Sequence, residues 1–444
     1  MPREHIAQES PSNLPDLPPE LWHEVIKFAT YLPDTLQDPT MAISNPRLRA
    51  ERYKNSLMTK SRVVRVCRSW REFGTPLLFE HIVVSRPRQI SLVLVALFGD
   101  GRSHLGILSL GQLIKRIDVL HSRCLESQDT GEAITRILNH ARSLVILTMN
   151  RAPWYSCSPL DALFTPTAGT IVSPNLQYLC LVDLGGPMFT PQRYLSFVEA
   201  HPQLRYLDGT VIVLQHPTLN MGKDSPYRSS YPSVREVQFR SFSTVDTGIV
   251  EHHVCPPIDT LSNLESAIVP CAIEVLSALE SILSHHGETL KSLRLVRTDK
   301  LLIAFPSRNP DHGKLIRHYC PRLQELTFSV LNATQFPNQL NGEAQVLLPE
   351  VDTLGVEIRP RRGQFSKAEF RELLKNVSSW KGTAWAPKLR TIRFVSESNV
   401  VHIRQCYGRL FGAFLQECSS SGVQVEGPFC EPLNSPSRYA PSSS

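Results

Sequence analysis

The stretch that decides the fold is Pro321-Arg322-Leu323-Gln324-Glu325-Leu326-Thr327-Phe328. It places apolar residues at positions i, i+3 and i+5, with a proline two residues before the first of them. The same spacing recurs in ten units, at steps of 26 to 38 residues. A near-constant step over so many units predicts an internal repeat. The first apolar residues of the units are Ile114, Leu144, Leu176, Leu204, Val234, Leu264, Leu290, Leu323, Val351 and Leu389.

Proline and helical segments separate the units. In six of the ten units a proline stands two positions before the first apolar residue, where we expect it to end one helix and start the next strand. These prolines are Pro174, Pro202, Pro232, Pro321, Pro349 and Pro387. Apolar periodicity predicts helices between several units. The predicted helices cover residues 131–141, 191–200, 272–286, 312–319, 366–380 and 401–418.

A helix, a proline turn and a short strand in every step resemble a leucine-rich repeat of the degenerate, irregular kind. The asparagine that regular leucine-rich repeats carry after the third apolar position is missing. The resemblance implies a solenoid over residues 85–427, in which stacked units bury the strand and helix faces that one unit cannot bury alone. The alternative is an ordinary α/β domain with parallel strands, which would alternate strand and helix without uniform spacing.

Two amphipathic helices are predicted before the repeats. The first covers about Pro18 to Tyr31, because two prolines suit a helix start and an apolar stripe follows them. The stripe consists of Leu21, Val25, Phe28, Ala29 and Leu32. Two helices this short need a partner, either the rest of the chain or another protein.

The second predicted helix lies around residues 60–71. Its apolar positions are Val63, Val64, Cys67 and Trp70. The intervening Lys60, Arg62, Arg65, Arg68 and Arg71 should be solvated. Pro76 is then predicted to interrupt the helical pattern, and Ile82-Val83-Val84 to form a first strand.

Three elements occur in order in this region: Leu17-Pro18-Pro19-Glu20-Leu21, Val66-Cys67-Arg68-Ser69-Trp70 and Thr75-Pro76-Leu77-Leu78-Phe79-Glu80-His81-Ile82. Together they resemble an F-box, of the kind that precedes degenerate leucine-rich repeats in fungal F-box-like proteins. The resemblance implies docking of the Skp adaptor of a cullin ubiquitin ligase. The residues that match the family's docking motifs are Leu17, Pro18, Leu21, Val66, Cys67 and Trp70. A helical cap over the end of the repeat domain is the alternative.

The chain departs from most F-boxes in the segment between the two helices. Residues 33–58 contain three prolines, mixed charges and no sustained apolar period, so they are predicted to form an inserted loop. The fold class is therefore α/β, with F-box-like helices followed by an irregular leucine-rich-repeat-like solenoid. The predicted divisions are a disordered tail 1–13, a helical domain 14–84, the solenoid 85–427 and a disordered tail 428–444.

Composition narrows the functional classes. The chain has 444 residues, 41% of them apolar and 20% charged, which is typical of a folded soluble protein. It has neither an apolar run of about 20 residues nor an N-terminal signal-peptide core, so we expect no membrane partner and a cytoplasmic or nuclear location. The net charge is only +6, and the clusters of basic residues are not interleaved with aromatic residues. Solvated faces explain them better than nucleic-acid binding does.

The ten cysteines are scattered singly, which predicts reduced thiols. We expect Cys67, Cys180, Cys271 and Cys406 in the core. The tight His/Cys groups are His252-His253-x-Cys255 and the set His312, His318 and Cys320. Neither has the second ligand pair that a zinc site needs, so we expect no metal and no cofactor.

Recognisable catalytic motifs are also missing, which predicts a non-enzymatic protein. The leading hypothesis is a substrate receptor that docks the Skp adaptor and binds an unidentified target on the concave strand side of the solenoid. A scaffold not coupled to ubiquitination is the second hypothesis, and it would fold the N-terminal helices against Ile114 and Ile117. A hydrolase or transferase with a site hidden in loops is the third.

Overall fold

The computed structural model describes residues 18–30, 46–98, 110–120, 128–150, 173–182, 200–208, 234–238, 261–270, 276–296, 312–330, 348, 350–358, 366–379, 386–428 and 430–433. Within these ranges the chain is a mixed α/β protein. The strands are β1 (His81–Val84), β2 (Arg116–Val119), β3 (Ile146–Asn150), β4 (Tyr178–Val182), β5 (Tyr206–Asp208), β6 (Glu236–Gln238), β7 (Ser266–Pro270), β8 (Ser292–Val296), β9 (Glu325–Val330), β10 (Thr353–Ile358), β11 (Thr391–Phe394) and β12 (Gln424–Glu426). The helices are α1 (Pro19–Thr30), α2 (Pro46–Val63), α3 (Arg68–Glu80), α4 (Pro87–Phe98), α5 (Gln128–His140), α6 (Leu276–His286), α7 (His312–Tyr319), α8 (Lys367–Ser379) and α9 (Glu397–Ser420), with a 3-10 turn at Leu110–Leu113.

The strands form one parallel sheet in the order β1 to β12, so each strand lies beside its neighbours in sequence. The register keeps repeat positions together: Leu326 of β9 lies opposite Leu293 of β8 and Leu354 of β10. A doubly wound α/β domain would instead reverse its strand order at a switch point. Sequential parallel order is consistent with a repeat solenoid. The ten predicted strands are confirmed, each beginning two residues after its first apolar residue.

A short turn before the strand explains the position of the prolines. The Leu323 N–H donates to the Cys320 carbonyl, and Pro321 is the second residue of this four-residue turn. Proline is favoured at the second position of such a turn, because its fixed φ angle suits the turn. Leu176 and Leu389 close equivalent turns around Pro174 and Pro387. In these units proline therefore favours the turn that leads into the strand, whereas Leu144 and Leu264 close the same turn in units that have no proline there.

Hydrogen bonds also join consecutive units ahead of their strands. The N–H groups of Val145 and Ile146 donate to the Lys115 carbonyl, and those of Gln177 and Tyr178 donate to the Val145 carbonyl. The same two-to-one arrangement recurs as far as the Asp352 carbonyl, which accepts from residues 390 and 391. Backbone groups at the entrance to each strand are thus satisfied by the next unit.

The hydrophobic core runs along one face of the sheet. Helix residues such as Ile137, Ile282 and Leu373 share one buried cluster with the strand leucines. Nine of the ten predicted first apolar residues are at most 1% exposed, and the tenth, Leu389, is partly buried. Because each strand contributes to a cluster that continues into the next, the core grows with the number of units.

Most predicted helices are confirmed within a few residues. The helices predicted at 131–141, 272–286, 312–319, 366–380 and 401–418 appear as α5, α6, α7, α8 and α9. The helix predicted at 191–200 lies outside the described residues except for its last position. The first predicted helix is confirmed as α1.

The prediction of a loop over residues 33–58 is wrong for its second half. Residues 46–58 belong to α2, which starts at Pro46, where a proline costs no intrahelical hydrogen bond. The other thirteen residues of the predicted loop lie outside the described part of the chain. Helix α2 packs against both α1 and α3. Tertiary packing, rather than an apolar period of its own, accounts for this helix.

The second predicted helix is wrong as a single element, because the chain breaks between α2 and α3. Cys67 is extended, with φ −158° and ψ 177°, and caps α3 by accepting the Trp70 N–H on its sulfur. Pro76 lies inside α3 instead of interrupting it. The helices approach so closely that a Cβ on Gly74 would lie 2.8 Å from a Val64 methyl. Lys60 is buried rather than solvated, and burial lowers its pKa.

The prediction of disorder from residue 428 is wrong for residues 428 and 430–433. The Leu433 N–H donates to the Val425 carbonyl and the Gly427 N–H to the Glu431 carbonyl, both at 2.8 Å, and Leu433 is 2% exposed. This segment closes the outer edge of β12. The spacing rule missed β12 because Gly422 and Gly427 occupy, by register, two of the three apolar positions.

No helix in the described part of the chain is both long and apolar enough to cross a membrane.

Truncating a leucine in a central unit should destabilise the whole stack. Leu326 is 0% exposed, so we expect Leu326→Ala to lower the free energy of unfolding by about 2–5 kcal/mol, through lost burial and the cavity left behind. Leu92, which is 60% exposed, provides the control, and Leu92→Ala should change that free energy by at most about 0.5 kcal/mol. Urea denaturation measures both variants. Equal effects would contradict the assignment of Leu326 to the core.

Candidate functional site

Helix α1 presents an apolar stripe to solvent. Leu21 is 50% exposed, Val25 48% and Phe28 83%, and they follow one another at intervals of four and three residues. Side chains at this spacing lie on one face of a helix. Ile26 and Thr30, on the opposite face, are each 2% exposed. The predicted stripe is therefore present in the described residues, whereas its last member, Leu32, lies outside them. Helix α1 packs on the rest of the chain through its other face.

Specific contacts fix the orientation of α1. The Trp22 and Trp70 rings lie 5.2 Å apart between centroids, joining the start of α1 to the start of α3. At the other end, the Ser56 hydroxyl of α2 donates to the Thr30 carbonyl over 2.8 Å. These two contacts hold the helix at both ends with its apolar stripe outward.

The six predicted docking residues do not behave alike. Leu17 lies outside the described residues, whereas Pro18 is exposed and Leu21 half-exposed. Val66 is 59% exposed in the turn between α2 and α3. Cys67 is also exposed, so its predicted place in the core is wrong, because it lies in that turn as the cap of α3.

Trp70 contacts Trp22 within the chain and is partly buried. It therefore positions α1, whereas Leu21 and Val66 are available to a partner. Phe28 and Val25 are further exposed members of the stripe that the family motif did not single out.

Tyr53 of α2 joins these helices to the repeat domain. Its hydroxyl donates to the His81 carbonyl over 3.1 Å and accepts the Val83 N–H over 3.3 Å. Both backbone groups lie on the edge of β1 that faces away from β2. Burial raises the pKa of Tyr53 to about 12, and the Asp118 carboxylate adds to that rise. One tyrosine side chain thus satisfies the backbone of an edge strand.

A buried polar group lies beside this junction. The Asp118 carboxylate is 2.9 Å from His81 Nε2 and accepts the Arg116 Nε–H at 2.9 Å. All three side chains are at most 2% exposed. The Tyr53 ring packs against the His81 ring, with centroids 4.8 Å apart. Buried charges of this kind need partners, and here the first two strands and α2 supply them.

Sequence reasoning missed Tyr53 because it fell in the predicted loop. A signal was present: Tyr53, Leu57 and Val64 follow a helical spacing of i, i+4 and i+11, which would have favoured a helix over a loop. The prolines earlier in the segment favoured a loop more strongly than this spacing favoured a helix.

The face of the sheet turned away from the core carries polar and charged residues towards its C-terminal end. Arg393 of β11 pairs with Glu325 of β9 and Glu426 of β12, both at 3.1 Å. Arg294 of β8 pairs with Glu357 of β10 at 3.0 Å. Among the described positions on this face, only Gln424 is exposed. The charges here are largely matched to one another.

Among the described residues no group of three or more histidine, cysteine, aspartate and glutamate side chains could hold a metal ion. Cys320 is buried, and burial raises the pKa of its thiol to about 12. Cys180 is buried as predicted, whereas Cys406 is exposed and its predicted place in the core is wrong, because it lies on the solvent side of α9. Cys271 and the group His252-His253-x-Cys255 lie outside the described part.

Comparison with known proteins adds little to this picture. No protein-family model matches the chain. No curated protein matches it either. Among solved structures, it is similar to a leucine-rich repeat-containing protein, LegL7 from Legionella pneumophila, with a TM-score of 0.31 and 11% identity over 81% of this chain and 89% of that one. A likeness this weak carries no argument, so the solenoid rests on the strand order and register above.

Removing the Tyr53 hydroxyl should loosen the junction. We expect Tyr53→Phe to lower the free energy of unfolding by about 1–3 kcal/mol at pH 8, because two backbone groups of β1 lose their partner. Tyr53 has a raised pKa when folded, so its stabilising effect is complete below pH 10 and is lost as the pH rises to about 12. The difference between wild type and variant should therefore shrink by about 1 kcal/mol at pH 11.

Urea denaturation at both pH values measures this difference. Tyr319→Phe is a suitable control, because the Tyr319 side chain is partly exposed and packs through its ring on His318. A wild-type to Tyr53→Phe difference that stays constant from pH 8 to pH 11 would contradict the buried placement of the hydroxyl.

Proposed function

We propose that the chain is a non-catalytic substrate receptor of a cullin-type ubiquitin ligase. Its N-terminal helices would dock the Skp adaptor, and its repeat domain would bind a target protein. The observation that carries the proposal is the outward stripe of Leu21, Val25 and Phe28 on a helix whose other face is already packed. Large apolar side chains grouped on one exposed helix face are typical of protein-binding surfaces.

Two further features support the adaptor over other uses of the helices. The exposed Leu21 and Val66 belong to two of the three sequence elements that together resemble the F-box. The contact between Trp22 and Trp70 brings those elements together, although the two tryptophans are 48 positions apart in the sequence. The resemblance and the exposure therefore point to the same part of the surface.

A scaffold without a ligase is the second candidate. It explains the repeat domain equally well, and the junction at Tyr53 shows that the helices also close the end of the sheet. It does not explain the exposed stripe, because a helix that served only as a cap would turn its apolar residues towards the sheet. Under either function the repeat domain binds a protein, and its partly exposed polar face, including Glu325 and Arg393, would contribute contacts. A cytoplasmic or nuclear location would suit both.

Replacing Leu21 with aspartate tests the adaptor proposal. We expect Leu21→Asp to abolish co-purification with the Skp adaptor, because an unpaired charge buried in the interface costs several kcal/mol. The isolated variant should fold normally, since Leu21 is half-exposed in the chain itself. Co-expression followed by affinity purification and size-exclusion chromatography measures the complex.

Leu92→Asp is the matched control, because Leu92 is an equally apolar and exposed residue on a different helix, α4. It should leave the complex intact. If the wild-type chain is folded and forms no complex, the scaffold is the better account. If both variants retain the complex, α1 is not the docking helix.

A further inference from the structure

The turn between α2 and α3 combines an exposed apolar residue with a concentration of positive charge. Val66 is 59% exposed, and Arg62, Arg65, Arg68 and Arg71 around it are all exposed. Residues 52–71 include seven lysines and arginines and no carboxylate. The next acidic side chain, Glu72, pairs with Arg68 at 3.3 Å while leaving that arginine 92% exposed.

Most of this charge is unmatched by the rest of the described chain. No described carboxylate lies within salt-bridge distance of Arg62 or Arg65, and the Arg71 guanidinium donates to the Val64 carbonyl at 3.2 Å. On the polar face of the sheet, by contrast, Arg393 has two carboxylate partners. Arg62 and Arg65 have no such partner among the described residues.

The placement of these cations also disfavours the fold locally. Arg68 and Arg71 lie at the N-terminal end of α3, which has no acidic residue in its first turn. The helix dipole makes that end positive, so a cation there is unfavourable. The helix cap is the Cys67 sulfur at 3.5 Å, which adds no negative charge in its thiol form. A partner that brings negative charge would relieve this repulsion.

The basic turn continues the proposed docking surface. The Trp22–Trp70 contact places the start of α3 beside the start of α1, and Leu21 is the residue next to Trp22. Val66 is the residue immediately before Cys67, which caps the start of α3. The apolar stripe of α1 thus ends close to the arginines of the turn.

We propose that this surface selects an acidic protein partner: an apolar groove that receives Leu21 and Val66, bordered by carboxylates that face Arg62 and Arg65. The inference rests on the proposed function and specifies the chemistry of the adaptor surface that meets the turn. An exposed apolar residue at the centre of the basic patch favours a protein over a nucleic acid, because the aromatic ring of the patch, Trp70, packs on Trp22 instead of standing free to stack on bases. Matched charges at the rim of an interface chiefly accelerate association.

Association kinetics with the purified Skp adaptor test the inference, using the full chain on a biosensor at about 50 mM and about 500 mM NaCl. The double variant Arg62→Glu/Arg65→Glu should associate roughly tenfold or more slowly at low salt, and high salt should remove most of the difference. Arg62→Lys/Arg65→Lys keeps the charge and should remain close to wild type. Arg142→Glu/Arg322→Glu makes the same change in net charge at two exposed arginines elsewhere and should have little effect.

The outcomes separate the inference from the proposed function. If Leu21→Asp abolishes binding but charge reversal and salt leave the association rate unchanged, the docking function stands and the acidic-partner inference fails. If the folded wild-type chain does not bind the adaptor, both fail. If reversal leaves adaptor binding unchanged but removes binding to single-stranded RNA or to phosphatidylserine vesicles, the patch serves that ligand and the inference is wrong.

Discussion

Parallel stacking of the strands is the constraint on which this structure depends. A single unit exposes the two edges of its strand and one apolar face, and only neighbouring units can cover them. The carbonyls of Lys115 and Val145 show the principle at the level of the backbone, because each accepts two N–H groups from the following unit. Stability therefore accumulates along the chain, and the first and last strands each retain one edge that no repeat can cover.

Two segments outside the repeat pattern close those edges. At the N-terminal end the Tyr53 hydroxyl binds the outward carbonyl and N–H of β1. At the C-terminal end residues 430–433 turn back along β12, where Arg404 of α9 donates to the Leu433 carbonyl at 2.6 Å. Uncovered edge strands are templates for pairing with other chains. The closing segments thus limit self-association while leaving the faces of the molecule available.

The ten predicted units could be found from the sequence because their strands obey one spacing rule, and six of the ten turns before them carry a proline. The spacing of Leu323, Leu326 and Phe328 places β9, and Pro321 marks the turn before it. The closing segments could not be predicted in this way, because they obey no period. Helix α2 forms through contacts such as that of Tyr53 with β1, and the unit of β12 has glycines at two of its three apolar positions. Long-range packing of that kind is not encoded in local spacing.

The exposed apolar stripe of α1 shows a similar division. The spacing of its residues on α1 could be predicted from the sequence. Spacing alone, however, favours burial of an apolar stripe in the interior of its own chain. The structure turns this stripe outward because Trp22 and Ile26 occupy the inner face, with Trp22 held by Trp70. A helix that needed only to cap the sheet could bury every large apolar residue. Retaining Phe28 at 83% exposure is unfavourable for the isolated chain, and a partner that covers it removes that cost.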